Sequence, residues 1–130
     1  MEELFKPYDM KDAEPLELAK AIIQILDEKK ATDIKLLRVS DSTVLTDYFV
    51  ICTGHSNTQI KGFADEVDYK LGLCGVEPKG IEGDKNSKWI LLDYYSVIVH
   101  IFGRDARDFY QLEKLWANAE EVNIDDLVRD

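Results

Sequence analysis

Residues 89–102 read W-I-L-L-D-Y-Y-S-V-I-V-H-I-F, two apolar runs separated by a tyrosine–serine step. This is the pattern of two strands joined by a tight turn. With Tyr95 and Ser96 as a two-residue loop, Tyr94 pairs with Val97, Leu92 with Val99 and Ile90 with Ile101. Side chains alternate across a strand, so these six share one face. That face is almost wholly aliphatic and demands covering helices. The opposite face carries Trp89, Leu91, Asp93, Ile98, His100 and Phe102. Aromatic rings with a carboxylate and an imidazole make a mixture suited to contact with another molecule. The alternative is that helices cover both faces and that Trp89 and Phe102 are ordinary core.

Upstream of the hairpin, 83–88 is a polar loop, and 76–80 is a short extended piece interrupted by Pro78, an edge strand at most. Before it, Ser56 and Gln59 have capping-box spacing, and Ile60, Phe63, Ala64, Val67 and Leu71 mark one face of the helix they open. Gly62 costs that helix about 1 kcal/mol, which the buried face offsets, and Gly72 and Gly75 end it. Residues 47–53, D-Y-F-V-I-C-T, alternate too little for an exposed edge and read as an interior strand. Residues 33–39 form a first strand, joined to it by the polar connection 40–46. Pro15 opens a first helix, with Leu18, Ile22, Ile25 and Leu26 at helical spacing. Lys29 and Lys30 near its end complement the helix dipole.

Downstream, 103–105 start a last long helix whose packed side is Phe109, Leu112, Leu115 and Trp116, with Tyr110 and Glu113 three apart on a neighbouring side. Three divisions follow: an N-terminal arm at 1–14, one domain at 15–117, and an acidic C-terminal tail at 118–130 with a weak turn through Ile124, Leu127 and Val128. The element order indicates an α/β domain on a mixed sheet of about five strands with flanking helices.

The 130 residues suffice for one domain with a real core. Composition is that of an ordinary globular protein, 45% hydrophobic and 32% charged. A net charge of −10 lacks the cation excess that drives binding to nucleic-acid phosphates and favours a basic partner instead. Cys52 and Cys74 form no zinc pattern and are too few for a disulfide framework; Cys52 reads as a buried thiol. No apolar run is long enough to span a membrane and Met1-Glu2-Glu3 is unlike a transit peptide, so a cytoplasmic protein is expected.

The turn Gly54-His55-Ser56, between strand and helix, is a plausible anion site because unpaired N–H groups point outward there. Nucleotidyl transfer of that kind also needs paired carboxylates on a following strand to hold magnesium. The next strand offers only Asp93, followed by Tyr94 and Tyr95. One carboxylate leaves the metal short of ligands, so no metal, cofactor or catalytic residue is expected. A residual nucleotide-handling enzyme using Gly54, Ser56 and Asp93 is the alternative, and a homodimeric adaptor is another. His55 and His100 are the two imidazoles, and neither has a nucleophile placed beside it. Arg104 and Arg107 have surface partners available in Asp105 and Asp108.

Three ordered motifs carry a resemblance. They are Asp47-Tyr48-Phe49-Val50-Ile51 with Thr53-Gly54, Ser56 and Gln59; then Trp89–Tyr94 with Val97–Phe102; then Arg107, Phe109-Tyr110, Leu112-Glu113 and Leu115-Trp116. With these the chain resembles the ribosomal silencing factor family, also called RsfS or Iojap, over about residues 32–117. The resemblance implies a nucleotidyltransferase-like fold without catalysis, commonly dimeric off the ribosome. It also implies binding to ribosomal protein L-fourteen on the intersubunit face of the large subunit, which blocks joining of the small subunit when nutrients are scarce. Partner-contact residues expected on this basis are Trp89, Leu91, Asp93, Tyr94 and His100 on the hairpin, and Tyr110, Glu113 and Trp116 on the last helix. Trp89 and Tyr110 are the anchors, and Asp93 and Glu113 meet basic groups. Two positions depart from the family pattern: Arg38 stands where many members have Asp, and Tyr95-Ser96 where many have Gly-Asp. Tyr95 lacks glycine's freedom at positive φ, so a wider loop is the alternative to a two-residue turn.

Overall fold

A computed structural model of the chain describes residues 8–83 and 88–128. The hairpin is built as the alternation requires. Strand β4 (Trp89–Asp93) pairs antiparallel with β5 (Val97–Gly103), with Leu92 opposite Val99 and Ile90 opposite Ile101. The turn is the tight one: Tyr94 N–H donates to Val97 O at 2.9 Å, and Tyr95 takes φ +70°. Asp93 holds it there, its Oδ1 accepting the Tyr95 N–H at 2.8 Å. An aspartate two residues back thus supplies the local bond that makes a left-handed tyrosine tolerable.

Four further strands complete one mixed sheet. They are β1 (Thr32–Arg38), β2 (Tyr48–Gly54), β3 (Gly80–Glu82) and β6 (Glu120–Val122), in the order β3-β4-β5-β2-β1-β6. Interior β2 runs parallel to β5 and antiparallel to β1, and it is buried at every position but its first. Edge strand β3 follows Pro78 rather than preceding it, because only past the proline can each residue donate to the ladder.

Six strands are described where five were expected, and the sixth lies in the segment read as a tail. β6 pairs antiparallel with β1, and Lys35 and Arg38 of β1 sit 3.7 and 3.6 Å from Glu121 and Glu120. Val122 at its end and Ile124, Leu127 and Val128 beyond it pack against the main core. Residues 118–130 therefore include an edge strand and a hydrophobic clasp, which their acidic composition concealed. Of the N-terminal arm, residues 8–14 are described. Met10 is buried in the core and its N–H donates to Cys74 O at 2.9 Å, so this part of the arm is tied down. The loop expected at 83–88 falls mostly outside the described residues.

Two helices cover the aliphatic face. Helix α1 (Pro15–Glu28) buries Leu18, Ile22, Ile25 and Leu26, with proline in its first turn. Helix α2 (Asn57–Leu73) buries the five predicted residues from Ile60 to Leu71. Ser56 caps it, its Oγ accepting from Gln59 N–H at 3.0 Å, and Gln59 Oε1 reaches one residue past the cap to accept from His55 N–H. Gly72 lies inside the helix, and Gly75 turns the chain after it at φ +83°. Cys52 is sealed below these helices, where burial pushes its thiol up to about 12.

The last long helix is two pieces. Helix α3 (Arg104–Tyr110) and the single turn α4 (Leu112–Leu115) are separated by Gln111, which is left-handed at φ 47°, ψ 53°. The corner turns Leu112 inward but leaves Phe109 79% and Leu115 76% exposed. An unbroken 3.6-residue period puts both on the packed side, and the break at Gln111 removes that period.

The strained turn gives a test. Left-handed backbone costs a β-carbon residue about 1–2 kcal/mol, and glycine's extra freedom in the unfolded chain returns about half of that. Tyr95→Gly should therefore raise stability by about 0.5–1 kcal/mol, read as a higher urea midpoint at unchanged slope. A lower midpoint would mean that the exposed Tyr95 ring itself holds the turn.

Candidate functional site

The sheet face opposite α1 and α2 carries a row of rings. Trp116 lies 5.1 Å from Phe49, Phe49 4.8 Å from His100, and His100 5.8 Å from Trp89. Trp89 in turn lies 4.8 Å from Tyr110, and Tyr110 5.0 Å from Phe109. The row crosses from the α4 corner over β2, β5 and β4 to α3. Its middle is core: Phe49, Phe102, Leu37, Val39 and Leu112 are buried together. Its ends face solvent, with Tyr110 47% exposed, Trp89 and Trp116 half-buried, and Phe109 and Leu115 almost bare. Large apolar side chains exposed at the margin of a core in this way mark interaction surfaces.

The expected contact residues divide. Trp89, Leu91, Tyr110 and Trp116 reach this face with part of their surface exposed to solvent. Phe102 is fully buried, so part of the face is core, as the two-sided alternative held. Tyr94 does not belong to the patch: the alternation puts it on the helix-covered face, 3% exposed in the main core. Burial, then the nearby charges of Asp68 and Glu77, push its hydroxyl up. Asp93 is half-buried and occupied in the hairpin turn.

His100 is no surface contact either, at 4% exposure. Trp89 Nε1–H donates to its Nδ1 at 3.1 Å, so the imidazole proton sits on Nε2. That nitrogen is buried without a hydrogen-bond partner. Burial alone pushes the imidazole down to about 4, leaving it neutral at pH 7. His100 acts as the acceptor that orients Trp89, a role that sequence position alone does not show.

Glu113 is engaged inside the molecule. Arg107, expected at the surface, is buried, and its Nε and Nη2 donate to Glu113 Oε2 at 3.2 and 2.7 Å. Partial burial pushes the Glu113 carboxyl up, but the hydrogen bond and charge of Arg107 outweigh it and hold it below the usual range. Arg104 pairs with Asp33 at 3.1 Å rather than with a helix neighbour. Phe109 and Leu115 are the exposed residues that sequence reasoning missed. No glycine or proline announces the corner at Gln111.

The residues of the nucleotide-handling alternative do not converge. Gly54 and Ser56 stand where β2 ends, beside Gly103 at the end of β5. Asp93 pairs with Ile98 at the start of β5, about 17 Å away at about 3.3 Å per residue. Gly54 is needed for packing, since a β-carbon there would come 2.8 Å from Ile60 Cγ1. Among the described residues no group of three or more His, Cys, Asp or Glu could hold a metal ion, and no helix is long and apolar enough to cross a membrane.

Comparison with known proteins places this geometry. A family model described as "Ribosomal silencing factor during starvation" matches residues 12–130. The ribosomal silencing factor RsfS of Haemophilus influenzae is 42% identical over 100 residues, covering 77% of this chain and 98% of that protein. The RsfS of Halalkalibacterium halodurans is 34% identical over 112 residues, covering 86% and 96%. A crystal structure of a protein from Chromobacterium violaceum matches with a TM-score of 0.78 at 38% identity, covering 80% of this chain and 87% of that one.

The buried histidine predicts a pH dependence. Its folded pKa of about 4 lies below the unfolded 6.5, so the unfolded chain binds the proton first. Stability from this group is complete above pH 6.5 and falls as pH drops toward 4, by about 3 kcal/mol in all. Denaturant titrations of wild type and His100→Leu should diverge in that window, with the variant showing the shallower loss. Parallel curves would mean that the imidazole is not held neutral.

Proposed function

The chain belongs to the ribosomal silencing factor family, and from that premise we propose that it represses translation without chemistry, by covering a surface of the large ribosomal subunit. The observation that carries this reading is the row of rings from Trp116 to Phe109, exposed at both ends and continuous across the sheet. In this reading the partner is ribosomal protein L-fourteen on the intersubunit face, and occupancy keeps the small subunit from joining. A net charge of −10 suits a basic ribosomal protein by steering encounter and complementing its potential. The mixed sheet then serves as a nucleotidyltransferase-like frame in a non-catalytic role, acting in the cytoplasm. A homodimer off the ribosome would use apolar surface of the same kind, so dimer and ribosome compete for it if the faces coincide.

The structure indicates which substitutions test this without unfolding the protein. Trp89 packs on His100 and Phe102, so truncating it disturbs the core as well as the patch. Phe109 and Leu115 are almost bare, and replacing exposed apolar groups there costs little stability. Phe109→Asp and Leu115→Asp should each weaken co-sedimentation with purified large subunits by about tenfold or more, with unfolding midpoints within about 0.5 kcal/mol of wild type. Full binding by the double variant would reject this surface.

A further inference from the structure

Arg107 is the one buried arginine among the described residues, and its guanidinium ties four segments together. From α3 its Nη1 donates to the Asp33 carbonyl of β1 at 2.6 Å and to Thr53 Oγ1 of β2 at 2.7 Å. Nε and Nη2 both reach Glu113 Oε2 of α4. The sheet is shaped to receive it. β1 is irregular between Thr32 and Lys35, and Asp33 adopts φ +51° where Arg107 takes its carbonyl. A buried cation is tolerated only when paired and hydrogen-bonded; here each of the three guanidinium nitrogens donates to an acceptor.

Helices as short as α3 and α4 have no stability of their own. α4 is held by Leu112 in the second core, by Trp116 on Phe49, and across the Gln111 corner by the Arg107–Glu113 pair. The first two lie on one side of the turn. The ion pair adds a hold from Glu113, between them in sequence, back to α3 and the sheet.

We propose that Arg107 is the positioning residue of the docking face: it acts through Glu113 to fix α4, and so sets where Leu115 and Trp116 stand relative to Trp89 and Tyr110. This rests on the docking reading above. It also reassigns Glu113, whose carboxylate is an internal anchor for Arg107 rather than the acid that greets a basic partner. Lysine cannot replace the arginine, because a single ammonium does not span three acceptors lying in different directions.

Two readouts test it. In a Trp89→Phe background Trp116 is the sole indole, and its emission and acrylamide quenching report its packing on Phe49 without any partner present. Arg107→Lys and Glu113→Ala should red-shift that emission. In the otherwise native chain they should weaken binding to purified large subunits by about tenfold. Glu113→Gln, whose amide oxygen still accepts from Arg107, should stay near wild type in both. Should Arg107→Lys fail to fold, the two Glu113 variants at a partly exposed site carry the comparison.

Glu113→Gln binding as weakly as Glu113→Ala, with Trp116 emission unmoved, would overturn the proposal and put the carboxylate in direct contact with the partner. Full binding and native emission in Arg107→Lys would overturn it as well. If the wild-type chain itself fails to sediment with large subunits, the docking reading falls. The Trp116 emission of Glu113→Ala then decides alone, an unmoved spectrum refuting the positioning role.

Discussion

A six-stranded sheet with an apolar centre has two faces to keep from water, and the described residues supply enough helix for one. Helices α1 and α2, with 14 and 17 residues, cover the aliphatic side completely. The other side receives α3 and α4, with 7 and 4. Burial of apolar area is the main favourable term in folding, so a face covered this thinly must finish its core with large side chains. The rings of Phe49, Phe102 and His100 close it, and those of Trp89, Trp116, Tyr110 and Phe109 spread over the margin. The exposed rings are thus what remains when too little helix meets a two-sided sheet, and they are the feature on which the proposed docking rests.

Polar groups on that face serve the arrangement of the rings. His100 is neutral and accepts the indole N–H of Trp89. Asp93 holds the hairpin turn. Arg107 and Glu113 satisfy each other across a helix corner. Each looks from its residue type like a group meant for a partner, and each is already partnered within the chain. What is left for another molecule is mostly apolar surface, with the chain's net negative charge acting at longer range.

The parallel pair β2–β5 ends in Gly54 and Gly103, side by side, with helix starts beyond each. In open α/β sheets such a crevice at the carboxyl ends of strands is where ligands bind. Here the single acidic side chain on the hairpin strand lies at the other end of β5, and close packing on Ile60 accounts for Gly54. The strand ends meet as in such a crevice, while the carboxylate of the hairpin strand lies at the far end of β5.

Much was legible from the residues alone, wherever a local period or a local bond does the work. Two-residue alternation determined the register and faces of the hairpin, the 3.6-residue period determined α1 and α2, and Ser56 with Gln59 determined where α2 begins. The same long motifs pointed to the family. The corner at Gln111, the burial of Arg107 and the recruitment of 120–128 into the sheet and core were decided only in three dimensions. Each depends on partners far along the chain: Asp33 and Thr53 for Arg107, β1 for the acidic edge strand. Nothing periodic in sequence records a contact across 54 or 74 residues. Without the Arg107 bonds an unbroken last helix was the natural reading, and with it the wrong faces for Phe109 and Leu115.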